Sequence, residues 1–214
     1  MKKIERNPLK KRIIELSYKH SLGHIGSCLT CVDILDGIYA KRKPNDPVIL
    51  SNGHAGLALY VVLEKYLPES SAEYLLRKHG VHPNRDMLEG IWCSTGSLGQ
   101  GLPIAVGMAL ADRSRDVWCV ISDGESAEGS IWEAIHVAQD QRLTNLHLFV
   151  NMNGWAAYRP TNLQRIRSIQ GQYAYPYIDF IETNCDEFPF LQGLQGHYHP
   201  LTEEEYHQAL EILK

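Results

Sequence analysis

Two short stretches, Ser122-Asp123-Gly124-Glu125 and Asn151-Met152-Asn153-Gly154-Trp155, carry residue types suited to holding a metal and a phosphate. Each follows an apolar stretch, continuous in Val117–Ile121 and predominantly apolar in Leu146–Val150. Asp123 offers a carboxylate, Asn153 an amide oxygen, and the nearby backbone a carbonyl. Such hard oxygen donors suit Mg²⁺, which takes octahedral geometry at about 2.0–2.1 Å and usually completes its shell with phosphate oxygens. Gly124 and Gly129 bracket the start of the following helix. Glycine there lets backbone N–H groups approach an anion, and a helix N-terminus adds a favourable dipole. Taken alone, the same residues also suit ordinary strand-end turns, where Asp, Asn and Gly are common.

The elements around these stretches read as an α/β pattern. Val117–Ile121 and Leu146–Val150 are expected strands, with a helix over Ser130–Gln139 between them. Strand, helix and strand in about 35 residues make a βαβ unit with parallel pairing. That pairing would bring Asp123 and Asn153 together beyond the carboxyl ends of their strands, where open α/β sheets bind ligands. Upstream, Leu9, Ile13, Ile14 and Leu16 mark an amphipathic helix, with Lys10, Lys11, Arg12 and Lys19 mostly on its wet side. A second helix is expected over Val32–Ala40, stopped by the turn-forming run Lys43–Pro47. Val48–Leu50 reads as a short buried strand and Ala55–Tyr66 as a mostly apolar helix. Ser70 with Glu73 gives a capping-box signal. Gly99–Asp112, poor in charge, reads as a buried helix. Tyr177–Ile181 suggests another strand, and Thr202 with Glu205 caps a last helix ending near Leu213. The fold class expected is α/β: an open, mostly parallel sheet with helices on both faces, forming a single domain over residues 1–214.

Around the two strand-end loops the sequence resembles the transketolase family in its cofactor-binding N-terminal part. Ser122-Asp123-Gly124 with Asn153 thirty residues on is similar to the thiamine-diphosphate signature, a GDG followed by an Asn. Gly23-His24-Ile25-Gly26 resembles the family's early GHxG. Leu50–Ala55 resembles its LSNGH loop, Thr95–Gly101 its TGxLGQG loop, and Glu128–Ala134 its EGxxWEA motif. These motifs keep family order and spacing from Gly23 to Trp155, over half the chain.

The resemblance implies roles for these positions. Asp123 and Asn153 would hold Mg²⁺ through their side chains and Trp155 through its carbonyl, and Gly124 would bring its backbone to the diphosphate. Gly96, Ser97 and Leu98 would line the thiamine ring pocket. Glu128 and Glu133 match glutamates at the subunit interface that link paired active sites. His24, His54, His82 and His197 match active-site histidines, with His199 the alternative to His197. A histidine near pKa 6.5 can shuttle protons and donate hydrogen bonds to a sugar hydroxyl. In the family, the glutamate that activates the aminopyrimidine comes from a second domain. Neither a pyrimidine domain nor a C-terminal domain is expected in this chain, so a separate pyrimidine-domain subunit is implied, most simply in an α₂β₂ assembly. The expected function is transfer of a two-carbon ketol unit between sugars, free, phosphorylated or activated. The alternatives are a C–C ligase using a 2-oxo acid donor and a non-catalytic scaffold subunit.

Three departures bear on substrate. Ser122 stands where the family has glycine, Tyr158–Tyr177 is shorter than the family's corresponding region, and Gln170–Gln195 matches poorly. The bulk properties fit a soluble protein: 44% hydrophobic and 21% charged residues. A net charge of −4 argues against nucleic-acid binding. No run is long enough to span a membrane and no apolar stretch follows the charged N-terminus, so a cytoplasmic location is expected. Cys28, Cys31, Cys93, Cys119 and Cys185 lack a disulfide framework and read as reduced thiols. Cys28-Leu-Thr-Cys31 alone falls short of the roughly four ligands of a structural zinc.

Overall fold

In the computed structural model, four strands form one parallel sheet in the order β1-β2-β3-β4: Val48–Leu50, Val117–Ser122, Leu146–Met152 and Tyr177–Glu182. The structure describes residues 7–168, 172 and 176–214. The first six residues and parts of the stretches 158–177 and 170–195 singled out above therefore lie outside the described residues.

Side chains alternate across a strand, and here the alternation separates two cores. Val48, Leu50 and Val120 join helices α1 (Pro8–Lys19), α2 (Ile25–Tyr39), α3 (Gly56–Tyr66), α4 (Ala72–His79) and α9 (Glu203–Ile212) on one face. Ile49, Cys119, Ile121, Leu148 and Val150 join α5 (Gly101–Ala111) and α6 (Gly129–Asp140) on the other. Two short helices, α7 (Leu163–Arg167) and α8 (Gln195–Tyr198), lie near the carboxyl ends of the strands. The expected α/β architecture is therefore present, and the strands pair in parallel throughout. No helix among the described residues is long and apolar enough to cross a membrane.

Local chemistry explains the helix starts. Asn7 accepts from the backbone N–H groups of Leu9 and Lys10, and Pro8 opens α1 without an N–H to satisfy. Thr202 and Glu205 form the expected capping box on α9.

Three element readings are corrected. The second helix begins at Ile25, not Val32, because Ile25 through Val32 are all buried and give no polar face to mark the start. The cap of α4 is Ser71, whose side chain accepts from Tyr74 N–H, rather than Ser70. Glu73 instead meets Lys19, His20 and Arg77. Helix α5 is buried on one face only: Leu102, Ala105, Val106 and Ala109 face the sheet, while Pro103, Ile104, Gly107 and Leu110 are exposed. Its lack of charge marks an apolar face left bare by this chain rather than burial within it. All five cysteines are free thiols, with Cys28 and Cys31 buried within α2.

Candidate active site

Strands β2 and β3 pair so that Ser122 lies opposite Asn151. Asp123 and Asn153 thus leave adjacent parallel strands at their carboxyl ends, as the βαβ reading required. Asp123 is fully buried. Its Oδ2 accepts from the Gly154 N–H at 2.8 Å and the Thr161 hydroxyl at 2.6 Å, and its Oδ1 accepts from the Gly124 N–H at 3.0 Å. Burial pushes its carboxyl up to about 6 against the lowering effect of these hydrogen bonds. The Asn153 oxygen accepts from the Trp155 N–H at 3.0 Å, and its amide nitrogen donates to the Thr30 hydroxyl at 3.4 Å.

A cavity of about 190 Å³ opens beside these loops. His24, His54, His82, Gly96, Leu98, Gly124, Asn153, Trp155 and His197 all line it. They come from loops far apart in sequence that meet at one end of the sheet. Asp123 borders an adjoining cavity of about 490 Å³ that shares Gly124 and Ala156 with the first. Ser97 is exposed on the Gly96–Leu98 loop and does not line the first cavity, nor does Glu128. Glu128 occupies the N-cap position of α6 beside Gly99 without a side-chain capping bond, and Glu133 is exposed one turn further on. His199 turns away to Glu205, 2.7 Å from its Nε2, whereas His197 faces the cavity.

The loops approach so closely that side chains are excluded at two points. A Cβ on Gly53 would lie 2.6 Å from the backbone of Thr95 and Gly96. Gly96 itself has φ +140° and packs under the His82 ring, 2.7 Å from where its own Cβ would be. Only glycine serves at both positions.

The histidines form a cluster. The rings of His24 and His54 are 5.2 Å apart between centroids, and each lies 5.9 Å from that of His197. Burial, reinforced by the neighbouring imidazoles, lowers His54 to about 3. Burial and then His24 lower His197 to about 4. Burial and then His82 lower His24. At neutral pH these rings are uncharged, so each has one nitrogen able to accept a proton. His24 also holds φ +58°, a left-handed conformation that costs a non-glycine residue about 1–3 kcal/mol and is concentrated at functional sites. Its N–H donates to the His197 carbonyl at 2.8 Å, tying α8 to the start of α2.

Ser27, Thr30 and Thr161 carry no motif signal, and Asn52 stands out only as part of the Leu50–Ala55 loop. Ser27 and Asn52 line the cavity and are almost wholly buried, yet Ser27 Oγ, Asn52 Oδ1 and the Nδ1 of His24 have no hydrogen-bond partner among the described residues. Buried polar atoms are normally paired, so these three suit a polar ligand. Thr30 and Thr161 hold Asn153 and Asp123 from behind. One carboxylate and one amide oxygen at the strand ends, beside a polar cavity, also fit a hard divalent cation carrying a diphosphate.

An open parallel sheet with helices on both faces and a cleft beyond the carboxyl ends of its central strands defines an α/β domain of the kind that binds ligands at that edge. The chain belongs to the transketolase, thiamine diphosphate binding domain family, which matches residues 13–182. It is 37% identical to the 6-deoxy-6-sulfo-D-fructose transketolase subunit SqwG of Clostridium sp. (strain MSTE9), with 69% of this chain and 60% of that protein covered. It is 31% identical to an apulose-4-phosphate transketolase subunit of Phocaeicola vulgatus, with 83% and 70% covered. Against the transketolase of Homo sapiens it is 34% identical, covering 85% of this chain and 30% of that one. The chain thus spans well under two thirds of some of its relatives. Among solved structures, a transketolase variant from Pichia stipitis superposes with a TM-score of 0.71 at 21% identity, covering 96% of this chain and 40% of that one. Transketolase from Leishmania mexicana gives 0.67 at 15%, covering 97% and 44%. These likenesses establish the fold.

Proposed function

We propose that this chain is the N-terminal, thiamine-diphosphate-binding subunit of a two-component transketolase-like enzyme that transfers a two-carbon ketol unit between sugars. The observation that carries this reading is the meeting of Asp123 and Asn153, on adjacent strand ends, with a cleft lined by four histidines. Asp123 and Asn153 would hold Mg²⁺ with the Trp155 carbonyl, and the Gly124 backbone would face the diphosphate. Gly96 and Leu98, which line the cleft, would border the thiamine ring, with Ser97 on the same loop. Thiamine diphosphate, when bound, supplies a nucleophilic carbon and an electron sink for cleaving a ketose carbon–carbon bond. His24, His54, His82 and His197 would bind sugar hydroxyls and carry protons to and from the substrate oxygens. Burial keeps at least three of them neutral, so each can accept a hydrogen bond from a sugar hydroxyl at one ring nitrogen and donate one from the other.

The partner would be a pyrimidine-domain subunit supplying the activating glutamate and most sugar contacts, in an α₂β₂ complex in the cytoplasm. Two findings support a partner. The similar proteins of Clostridium and Phocaeicola are named as transketolase subunits. The bare apolar face of α5, with Ile104 and Leu110 exposed, lies next to α6, which carries Glu128 at its cap and Glu133 on its surface. The test is reconstitution with a pyrimidine-domain subunit, thiamine diphosphate and Mg²⁺, assayed with ketose and 2-oxo acid donors. Ketol transfer from a ketose is expected. Release of CO₂ from a 2-oxo acid as the productive reaction, or no turnover with either donor, would overturn the proposal.

A further inference from the structure

Glu125 is fully buried and does not line the cleft, yet its carboxylate joins three of the loops that build it. Oε1 accepts from the Ser51 hydroxyl at 2.5 Å and from the Gly99 N–H at 2.9 Å. Oε2 accepts from the Ser122 N–H at 2.9 Å and, at 3.4 Å, from the Ser122 hydroxyl. Ser51 in turn accepts from the Gly101 N–H at 3.2 Å. Each tethered loop places residues against the cavity: Asn52 and His54 follow Ser51, Gly96 and Leu98 precede Gly99, and Gly124 follows Ser122. We infer that Glu125 is a positioning residue, setting the distance between the strand-end loop of Asp123 and the Gly96–Leu98 loop so that one ligand can touch both.

The chemistry demands a carboxylate at this point. Backbone N–H groups approach from two sides, one to each oxygen. Glutamine has the same shape, but its amide nitrogen would meet one of those N–H groups donor to donor. Aspartate keeps both acceptors on a side chain one methylene shorter and cannot span the same three loops. The serine that stands in place of the family's glycine, Ser122, adds its own hydroxyl to this hub. A buried carboxylate bound only by neutral donors is costly to keep, and what it secures here is the register of the cleft.

This inference rests on the proposed cofactor role of the cleft. The test is calorimetric titration of thiamine diphosphate with Mg²⁺ into the intact chain, alongside thermal unfolding, for Glu125→Gln, Ser51→Ala and Ser51→Thr. Leu35→Ala, buried in α2 and remote from the cavity lining, serves as a reference for lost stability alone. At a temperature where all are folded, Glu125→Gln should bind at least tenfold more weakly and Ser51→Ala several-fold more weakly. Ser51→Thr should bind as the unaltered chain does, and the double variant Ser51→Ala/Glu125→Gln no worse than Glu125→Gln. Binding by Glu125→Gln within twofold of the unaltered chain overturns the inference, as does an equal loss in Leu35→Ala. If Glu125→Gln does not fold, the Ser51→Ala and Ser51→Thr pair decides by the same criterion. Failure of the unaltered chain to bind overturns the cofactor reading itself.

Discussion

Thr30→Val is the perturbation whose effect follows most directly from the geometry. The Thr30 hydroxyl, almost wholly buried in α2, donates to the Gly26 carbonyl at 2.9 Å. It accepts from the amide nitrogens of Asn151 at 3.2 Å and Asn153 at 3.4 Å. Asn151 is fully buried, and its oxygen is already taken by the Thr183 hydroxyl. Valine has nearly the shape of threonine, so packing is preserved and the loss is confined to hydrogen bonding. Leaving the Asn151 N–H unpaired costs about 1–3 kcal/mol. Asn153 is less buried and adds a smaller amount, giving about 2 kcal/mol in total. For a chain of this size each kcal/mol lowers Tm by roughly 2–4 °C, so a drop of about 4–8 °C is expected in thermal unfolding. Freed from Thr30, the Asn153 amide can turn its nitrogen toward the proposed metal position. Mg²⁺-dependent binding of thiamine diphosphate should weaken about tenfold, in line with losses of outer hydrogen-bond partners at metal sites. Thr30→Ser should restore both properties. A Thr30→Val protein with unchanged Tm and unchanged Mg²⁺ dependence would refute the reasoning.

Other expectations follow from single features. His54 and His197 have folded pKa values below the ordinary 6.5, at about 3 and about 4. The unfolded chain therefore binds protons that the native chain refuses, and stability falls as pH drops from 6.5 toward 4, by up to about 1.4 kcal/mol per pH unit for each ring. Urea denaturation at pH 7, 6 and 5 should show this, with a shallower dependence in His197→Asn; the same slope in that variant would count against it. Ser71→Ala should destabilise by about 1 kcal/mol through loss of the α4 cap, while Ser70→Ala should be close to neutral. Thermal unfolding that reverses this order would contradict the cap assignment. Leu110→Lys on the bare face of α5 should alter the stability of the chain by no more than about 0.5 kcal/mol yet abolish co-purification with a pyrimidine-domain subunit. An intact complex would place the interface elsewhere.

Much of the fold and the site is legible in the amino-acid sequence, for identifiable reasons. The strands β2 and β3 stand out as predominantly apolar stretches, and their loops carry Asp, Asn and Gly at positions that parallel pairing brings together. His197 is expected only through the family resemblance, with His199 as the alternative; in the structure His197 lines the cavity and His199 meets Glu205. What escapes is polar chemistry inside apolar stretches. Thr30 sits in a helix buried along most of its length, and its side-chain partners Asn151 and Asn153 lie more than a hundred residues away. Glu125 looks like a surface residue beside Asp123, and only the convergence of three loops makes it a buried hub. The same absence of polar contrast hides the start of α2. In α5 it conceals the difference between a buried helix and one with a bare apolar face, since both read as an uncharged run.

The proposed binding of thiamine diphosphate through Mg²⁺ at the strand-end loops of Asp123 and Asn153 is the step on which the proposed function depends. Calorimetric titration of thiamine diphosphate into the chain, with Mg²⁺ and with EDTA, tests it directly when repeated on Asp123→Ala and Asp123→Asn, with circular dichroism to establish that the variants are folded. Saturable binding that requires Mg²⁺ and is lost in both folded variants is the predicted result. Metal-independent binding, or equal affinity in the Asp123 variants, would contradict the account.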